Sequence, residues 1–288
     1  MKKLEQSAEQ MTTLTSGNTE AVFLQSGDLY KLSHQDIMIN QVESNMIDGS
    51  LNNLYLRTYD QDGTIKSYTP LLGIRSNSTF SAGQSQATWT GTAEEIEYTV
   101  RFSLAEESVW FWEVELSGAQ QTVDVIYGQD LGLAGESALK ANEAYVAQYV
   151  DHKIIESDLG YSISSRQNQP QDGKHPYLQQ GSLTGADGFL TDGFQFFGTE
   201  YKETAIPKAL LNAELDNKNK QYEFAYSVLK SKKVNLEGQT NIVFYQYYQP
   251  SHPEAVEKLE GIDQIQTAYQ QLAKETDHPR AYEVAGTL

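Results

Sequence analysis

The run VWFWEVEL, at residues 109–116, is the clearest secondary-structure signal in the chain. Large apolar side chains alternate with glutamates along its second half, and Ser117-Gly118 follows it. Successive side chains of a strand point to opposite faces, so Trp110 and Trp112 share one face. The pattern predicts a β-strand whose tryptophan face belongs to the protein core.

Short runs of the same kind recur on both sides of this strand, with turn residues between them. Residues 54–59 end at Asp60-Gln61-Asp62-Gly63, which is a hairpin signal. Further strands are predicted at 21–24, 30–40, 64–68, 78–80, 86–91, 96–104, 161–163, 193–197, 222–229 and 242–248. Residues 136–150 have near-helical apolar spacing and predict a short helix or ordered loop. The series predicts an all-β fold, a large antiparallel β-sandwich, rather than alternating βαβ units.

The two ends of the chain differ from this middle part. Residues 1–20 are polar and are predicted to be frayed, which leaves 21–252 as the sandwich domain. Residues 253–259 and 262–274 have helical patterns, acidic at the start and basic towards the end. Residues 277–288 have the composition of a linker. We therefore expect 253–288 to be a helical linker, and the chain to be the front of a longer protein.

The net charge of the chain limits the classes of molecule that it is expected to bind. The 288 residues carry 39 acidic and 21 basic side chains, a formal net charge of −18. Such a surface repels phosphate backbones and anionic lipid, so no nucleic-acid or membrane partner is predicted. There is no cysteine, and acidic and polar residues follow Met1-Lys2-Lys3 where a signal peptide would be apolar. These features predict a cytoplasmic location.

Searches for catalytic motifs are negative. The sequence has no glycine-rich phosphate loop, no zincin motif and no nucleophile elbow, and its five histidines are scattered. No metal site is predicted. A pair of carboxylates can hydrolyse glycosidic bonds, but carboxylates near strand ends usually cap turns. No catalytic residue is therefore assigned among the candidates Asp130, Glu143, Asp151 and Asp192.

Residues 127–198 hold the densest mixture of amides, aromatics and charges. Residues 123–127 alternate and Gly128 breaks the run, which predicts a strand entering a loop. Paired donors and acceptors beside aromatic faces suit sugar hydroxyls and pyranose C–H faces. The alternative is a polar loop bonded to its own backbone, with Arg166 paired to Asp151, Asp172 or Asp192. The predicted substrate-binding residues are Arg166, Gln167, Asn168, Gln169, Tyr145 and Gln148.

Several spaced motifs, in one order, resemble the N-terminal region of 1,2-β-oligoglucan phosphorylases. They are YGQDLG at 127–132, NEAY at 142–145, QY at 148–149, RQNQPQ at 166–171, TDGF at 191–194, GxxYK at 198–202 and QYEFA at 221–225. These enzymes belong to the inverting glycoside phosphorylase family with cellobiose and chitobiose phosphorylases. They are also similar to the phosphorylase-like part of cyclic β-1,2-glucan synthase. The resemblance covers about residues 21–253.

The resemblance implies a galactose-mutarotase-like supersandwich that precedes a helical linker and an (α/α)6 barrel. In such enzymes a barrel aspartate protonates the glycosidic oxygen while inorganic phosphate attacks the anomeric carbon, releasing α-glucose 1-phosphate. That aspartate lies in a Gly-Asp-Trp-Asp-like run, whereas none of the three tryptophans here precedes an aspartate. The resemblance therefore implies a chain that is inactive by itself.

The implied partners are the downstream catalytic barrel of the same polypeptide, a β-glucan oligosaccharide and, optionally, a second copy in a homodimer. Inorganic phosphate would be a co-substrate of the longer enzyme, and no other cofactor is expected. Two alternatives stay open from the residues alone. One is a stand-alone carbohydrate-binding or interaction module, and the weaker one is an independent glycosidase that uses its own carboxylates.

Overall fold

A computed structural model describes residues 11–106 and 108–272 of the protein. About half of the chain is strand. The strands are β1 (Thr12–Ser16), β2 (Thr19–Phe23), β3 (Leu29–His34), β4 (Ile37–Met38), β5 (Asn53–Tyr59), β6 (Ile65–Pro70), β7 (Thr79–Ala82), β8 (Gln86–Ala93), β9 (Ile96–Leu104), β10 (Val109–Asp130), β11 (Ala134–Gly135), β12 (Val150–Ser157), β13 (Gly160–Gln167), β14 (Tyr177–Ser182), β15 (Ala186–Asp192), β16 (Ala225–Ser231) and β17 (Val234–Gln249). The helices are α1 (Glu136–Ala147), α2 (Gly193–Phe197), α3 (Tyr201–Thr204) and α4 (Ile262–Leu272).

Two sheets make up the described fold. The smaller has the order β1-β2-β3-β4-β11, and the larger has twelve strands, with β16-β15-β13-β14-β17-β10-β9-β8-β7 as its main path. The 22-residue β10 pairs with β9 and β17 along its first half and with β5 and β16 along its second. The pairings are antiparallel, apart from one parallel contact between β13 and β15. The prediction of an all-β, mainly antiparallel sandwich is confirmed.

The core lies between the two sheets and is built around tryptophan. Trp110 and Trp112 are 0% and 1% exposed, which confirms that their face of β10 is buried. Phe23 of the small sheet lies 5.4 Å, centroid to centroid, from Trp89 of the large sheet. The rings of Phe102 and Trp112 are 4.6 Å apart. The Phe23–Trp89 contact joins the two sheets, and the Phe102–Trp112 contact packs neighbouring strands of the large sheet.

Two helices, α4 and α2, pack against the opposite face of the large sheet. Phe111 points away from Trp110 and Trp112, and its ring lies 5.2 Å from that of Tyr269 on α4. At the other end of β10, α2 covers Ile126 and its neighbours in β5 and β16. Because successive side chains of β10 point to opposite faces of the sheet, one face of this strand lies in the core and the other packs against the helices.

Two strand predictions are wrong. Residues 193–197 form α2, because the Asp192 carboxylate accepts hydrogen bonds from the backbone N–H groups of Phe194 and Gln195, each at 3.2 Å. This cap stabilises a helix start that the sequence pattern does not reveal. Gly128 does not end its strand, since β10 continues to Asp130. A Cβ at Gly128 would lie 2.3 Å from the Tyr226 hydroxyl, so glycine here permits close packing.

The predicted ends also need correction. Residues 12–16 and 19–23 are paired strands, and Leu14 is fully buried, so the predicted fraying is wrong for this stretch. Residues 253–259 are not helical, whereas α4 lies within the second predicted helix. The contacts described below, at His252, Pro253 and Glu260, hold both ends of this segment. The rest of both predicted end segments, 1–10 and 273–288, lies outside the described residues. The predicted helix near 136–150 is α1.

Candidate functional site

Arg166, the central residue of the predicted sugar site, binds main-chain carbonyls. Its Nε donates to His252 O at 2.6 Å and its Nη2 donates to Pro253 O at 3.0 Å. Its Nη1 donates to the Asn168 side-chain oxygen. Among the ion pairs of the described residues, none joins Arg166 to the predicted Asp151, Asp172 or Asp192. Arg166 thus attaches the segment that follows β17 to the end of β13.

The three carboxamides beside Arg166 differ in exposure. Gln167 is fully buried, and its amide donates to Gly132 O and Val146 O, each at 3.2 Å. Its side-chain oxygen accepts from the backbone N–H of Gln169 at 3.0 Å. Asn168 is exposed and Gln169 is half-buried. Of the three, Asn168 therefore offers the most accessible side chain for a ligand.

Tyr145 and Gln148, at the end of α1, lie beside this loop. Asn168 N donates to Tyr149 O at 2.9 Å, which connects the two groups. Tyr145 is 48% exposed, and its ring meets that of Tyr149 edge-on at 5.2 Å. Gln148 is exposed, and its backbone oxygen accepts from Gln221 Nε2 at 2.9 Å. The structure thus brings the predicted residues into one region of the surface, apart from the amide of Gln167.

A second feature, which we call the aromatic cleft, lies between residues 42–51 and residues 193–205. It encloses about 560 Å³. Its lining includes aromatic rings and polar side chains, namely Phe194, Phe197, Tyr201, Phe224, Ser44, Asn45, Asp48, Arg75 and Lys202. None of these residues is among those predicted from the sequence to bind a ligand. The TDGF and GxxYK motifs contain part of this lining, but the sequence pattern at 193–197 predicts a strand.

The first wall of the aromatic cleft is fixed by Asp28. This buried carboxylate accepts from the backbone N–H of Ser50 and of Ile74, each at 2.8 Å, and from Ser26 Oγ at 2.6 Å. Gly73 has a φ of +69°, and a Cβ there would lie 2.1 Å from an Asp28 oxygen. Two loops distant in sequence are therefore held together by one acidic side chain.

The second wall is built from α2, α3 and their rings. Phe197 and Phe224 are parallel within 1°, with centroids 5.8 Å apart, and Phe197 lies 4.6 Å from Tyr201. The Arg75 guanidinium lies 5.3 Å from the centre of the Tyr201 ring and donates a hydrogen bond to its hydroxyl. Because Arg75 belongs to the first wall, this contact joins both walls.

The rim of the aromatic cleft exposes apolar side chains. Phe194 is 56% exposed and Ile47 is 89% exposed, and Val42, Met46, Ile74 and Ile206 are also exposed in or next to the lining segments. Ser44 belongs to the lining, but its Oγ is enclosed by protein atoms and has no hydrogen-bond partner among the described residues. A buried hydroxyl without a partner is unusual, because its desolvation is uncompensated.

Two of the four candidate carboxylates, Asp130 and Asp192, accept hydrogen bonds from the backbone. Asp130 is 1% exposed, and one of its oxygens accepts from Gln41 N at 2.8 Å and Val42 N at 2.9 Å. Burial raises the pKa of Asp130 to about 6, although these two hydrogen bonds oppose that rise. Asp192 caps α2, whereas Glu143 and Asp151 are exposed. Asp130 therefore supports the edge of the aromatic cleft rather than facing a ligand.

The described residues contain no group of three or more histidine, aspartate or glutamate side chains arranged to hold a metal ion. Their helices include none with the length and apolar character needed to cross a membrane.

Comparisons with known proteins agree with the resemblance drawn from the motifs. The SOGP N-terminal domain family matches residues 22–246. A 1,2-beta-oligoglucan phosphorylase from Listeria innocua is 35% identical over 242 residues, which cover 84% of this chain. The matched chain spans 22% of the length of that relative.

Two solved structures match most of this chain at low sequence identity. A polysaccharide lyase matches 84% of this chain and 33% of its own length, with a TM-score of 0.48 and 7% identity. A GalM/aldose epimerase homologue from C. elegans matches 85% of this chain and 100% of its own, with a TM-score of 0.47 and 8% identity. The family match extends over well more than half of the sequence. The chain therefore belongs to the SOGP N-terminal domain family.

Proposed function

We propose that this chain is the non-catalytic β-sandwich domain of a glycoside phosphorylase that reversibly phosphorolyses β-1,2-gluco-oligosaccharides to α-glucose 1-phosphate. The observation that carries the proposal is the family match over residues 22–246, together with 35% identity to a 1,2-beta-oligoglucan phosphorylase. In this proposal the sandwich has the mutarotase-like supersandwich arrangement, and the enzyme is cytoplasmic.

In the proposed enzyme the chemistry belongs to a downstream barrel of the same polypeptide. Phosphorolysis needs a positioned acid and a site for inorganic phosphate. Asp130, whose pKa is raised, is sealed from solvent, so it cannot protonate a glycosidic oxygen. The domain would instead hold the barrel and contribute to the substrate site.

The contacts after β17 support a holding role. Gln179 and Glu260 exchange two side-chain to backbone hydrogen bonds of 2.9 Å each. His252 Nε2 lies 3.1 Å from a Glu260 carboxylate oxygen, and Arg166 binds the carbonyls of His252 and Pro253. These contacts fix the direction in which the chain leaves the sandwich, so an attached domain would be held at a defined angle.

The substrate-site part of the proposal concerns Arg166, Asn168, Gln169, Tyr145 and Gln148, with buried Gln167 as their support. Asn168, Tyr145 and Gln148 are exposed and could bind glucan hydroxyls. Arg166 would act as a positioning residue, because its guanidinium holds the Asn168 side chain. A homodimer could also bring this loop to a neighbouring subunit's glucan.

The test compares this chain with a longer protein that contains it. We expect the longer protein to release α-glucose 1-phosphate from β-1,2-gluco-oligosaccharides and phosphate, and the 288-residue chain to release none. Release by the chain alone would overturn its non-catalytic assignment. An inactive longer protein would favour the second candidate, a carbohydrate-binding module, for which the exposed aromatic rim is the supporting observation.

The site residues are tested in the longer protein. Arg166→Ala should lower phosphorolysis about tenfold, because Asn168 loses the guanidinium that holds its side chain in position for the transition state. Asn168→Ala should have the same direction of effect. An unchanged rate with a lower melting temperature would assign Arg166 to the attachment of the 252–253 segment alone.

A further inference from the structure

We propose that the aromatic cleft is a carbohydrate-binding site that takes a short segment of a β-linked gluco-oligosaccharide. The choice of a β-linked glucan rests on the proposed function. The cleft by itself calls for a neutral ligand that has both hydroxyl groups and an apolar face.

The aromatic side of the cleft supplies the apolar face. Phe194 is 56% exposed at the rim, and its ring meets Phe224 edge-on at 5.8 Å. Phe197 and Tyr201 continue the same lining. A pyranose presents C–H groups on its faces, so it can stack on such rings without leaving hydroxyls unpaired. Phe194 is the ring most open to a ligand.

The opposite side supplies hydrogen-bonding groups. Asn45, Asp48 and Arg75 provide exposed donors and acceptors. A mixture of donors and acceptors fits sugar hydroxyls better than it fits an ion.

The charges around the cleft favour a neutral ligand. Lys202 and Arg75 face Glu43 and Asp48 in the lining, so neither sign dominates locally. The whole chain carries −18, which disfavours anionic ligands but presents no barrier to an uncharged sugar.

The walls are held in place before a ligand arrives. Asp28 fixes the 50 and 74 loops, and Asp192 fixes the start of α2. Little conformational entropy is then lost on binding, and this makes a small preformed site effective.

The experiment titrates the 288-residue chain with β-1,2-linked gluco-oligosaccharides and, in parallel, with β-1,3- and β-1,4-linked ones, by calorimetry and saturation-transfer NMR. Phe194→Ala should weaken binding at least about tenfold, the loss expected when a stacking ring is removed. Tyr222→Ala is the matched control, because Tyr222 is 55% exposed and does not line the cleft. It should leave the affinity unchanged.

Ser44→Ala is a second control, placed within the lining segment. The substitution removes a buried hydroxyl that lacks a partner in the free protein, so the melting temperature should stay the same or rise. Affinity for the oligosaccharide should also stay unchanged, because Ser44 Oγ is closed off from the cleft by protein atoms. A loss of affinity as large as that of Phe194→Ala would show that the substitutions disturb the walls rather than remove a stacking ring, and would contradict the inference.

The remaining outcomes are decisive in the same way. Binding of another β-glucan, lost in Phe194→Ala, would support the cleft site and count against the β-1,2 linkage of the proposed function. Absence of binding to every glucan by the folded chain would overturn the cleft site but not the phosphorylase assignment, which the activity assay tests separately. Self-association lost in Phe194→Ala, without glucan binding, would overturn the inference in favour of a protein contact at the apolar rim.

Discussion

The role of Arg166 depends on the segment that follows β17, which lies beside the end of β13. Its guanidinium donates to two backbone carbonyls, at 2.6 and 3.0 Å, in a segment more than eighty residues away. We expect Arg166→Ala to lower the free energy of unfolding by about 1–3 kcal/mol, because charge-assisted bonds are lost. Urea unfolding measures this change, and hydrogen exchange at residues 252–261 should become faster.

The matched control for this prediction is Arg101→Ala. Arg101 is 32% exposed and pairs with Glu113 and Glu115 at 3.5 and 3.1 Å on the surface. Such pairs contribute at most about 1 kcal/mol. Equal effects of the two substitutions, with unchanged exchange at 252–261, would show that Arg166 does not attach this segment.

Asp130 predicts a particular dependence of stability on pH. Burial raises its pKa from 3.8 to about 6, so the folded protein binds more protons than the unfolded chain between these values. Stability contributed by this residue is therefore present at low pH and is lost as pH rises through 6. Between pH 4 and 7, wild type should lose about 2 kcal/mol more unfolding free energy than Asp130→Asn. Parallel pH profiles of the two proteins would contradict this.

The paired strands β5 and β10 bury an ion pair between Arg57 and Asp124. Arg57 donates from Nε and Nη2 to the Asp124 carboxylate at 2.8 and 2.6 Å, and both side chains are 0% exposed. Lys230 Nζ lies 3.8 Å from the same carboxylate. Asp124→Ala would leave two buried cations without this partner and should cost about 3–5 kcal/mol. Denaturant unfolding of this variant measures the loss.

A second substitution tests whether the loss comes from unpaired charge. Arg57→Met in the Asp124→Ala background removes one of the two cations, so part of the lost stability should return. If the double variant is less stable than Asp124→Ala by the full cost of Arg57→Met in wild type, the two residues are not coupled.

At the scale of the whole molecule, strands dominate the described chain and helices cover parts of the outer sheet face. We expect far-UV circular dichroism to be dominated by strand, with a minor helical contribution from α1 and α4. A mainly helical spectrum would contradict the fold. The same measurement on Phe194→Ala and Ser44→Ala provides the control that these variants are folded.

Much of this architecture follows from local pattern. The alternation at 109–116 predicts the strand and the burial of Trp110 and Trp112, because side-chain direction alternates along any strand. The Asp60–Gly63 segment predicts the β5–β6 hairpin, since glycine at 63 adopts the required φ of +84°. Spaced motifs also identified the family correctly.

The local sequence pattern does not predict α2, because GFQFF at 193–197 is compatible with a strand. The helix depends on the cap that the Asp192 carboxylate provides. The local pattern also could not decide what Arg166 binds, since nearby aspartates and a distant carbonyl are equal candidates in sequence. The aromatic cleft exists because Asp28 joins the 50 and 74 loops, and because Arg75 binds Tyr201, which is 126 residues away in the chain. Sequence by itself determined the strands, the core face and the family, which depend on neighbouring residues. Only the tertiary structure decided the partners of the polar side chains, because hydrogen bonds depend on distance in space rather than along the chain.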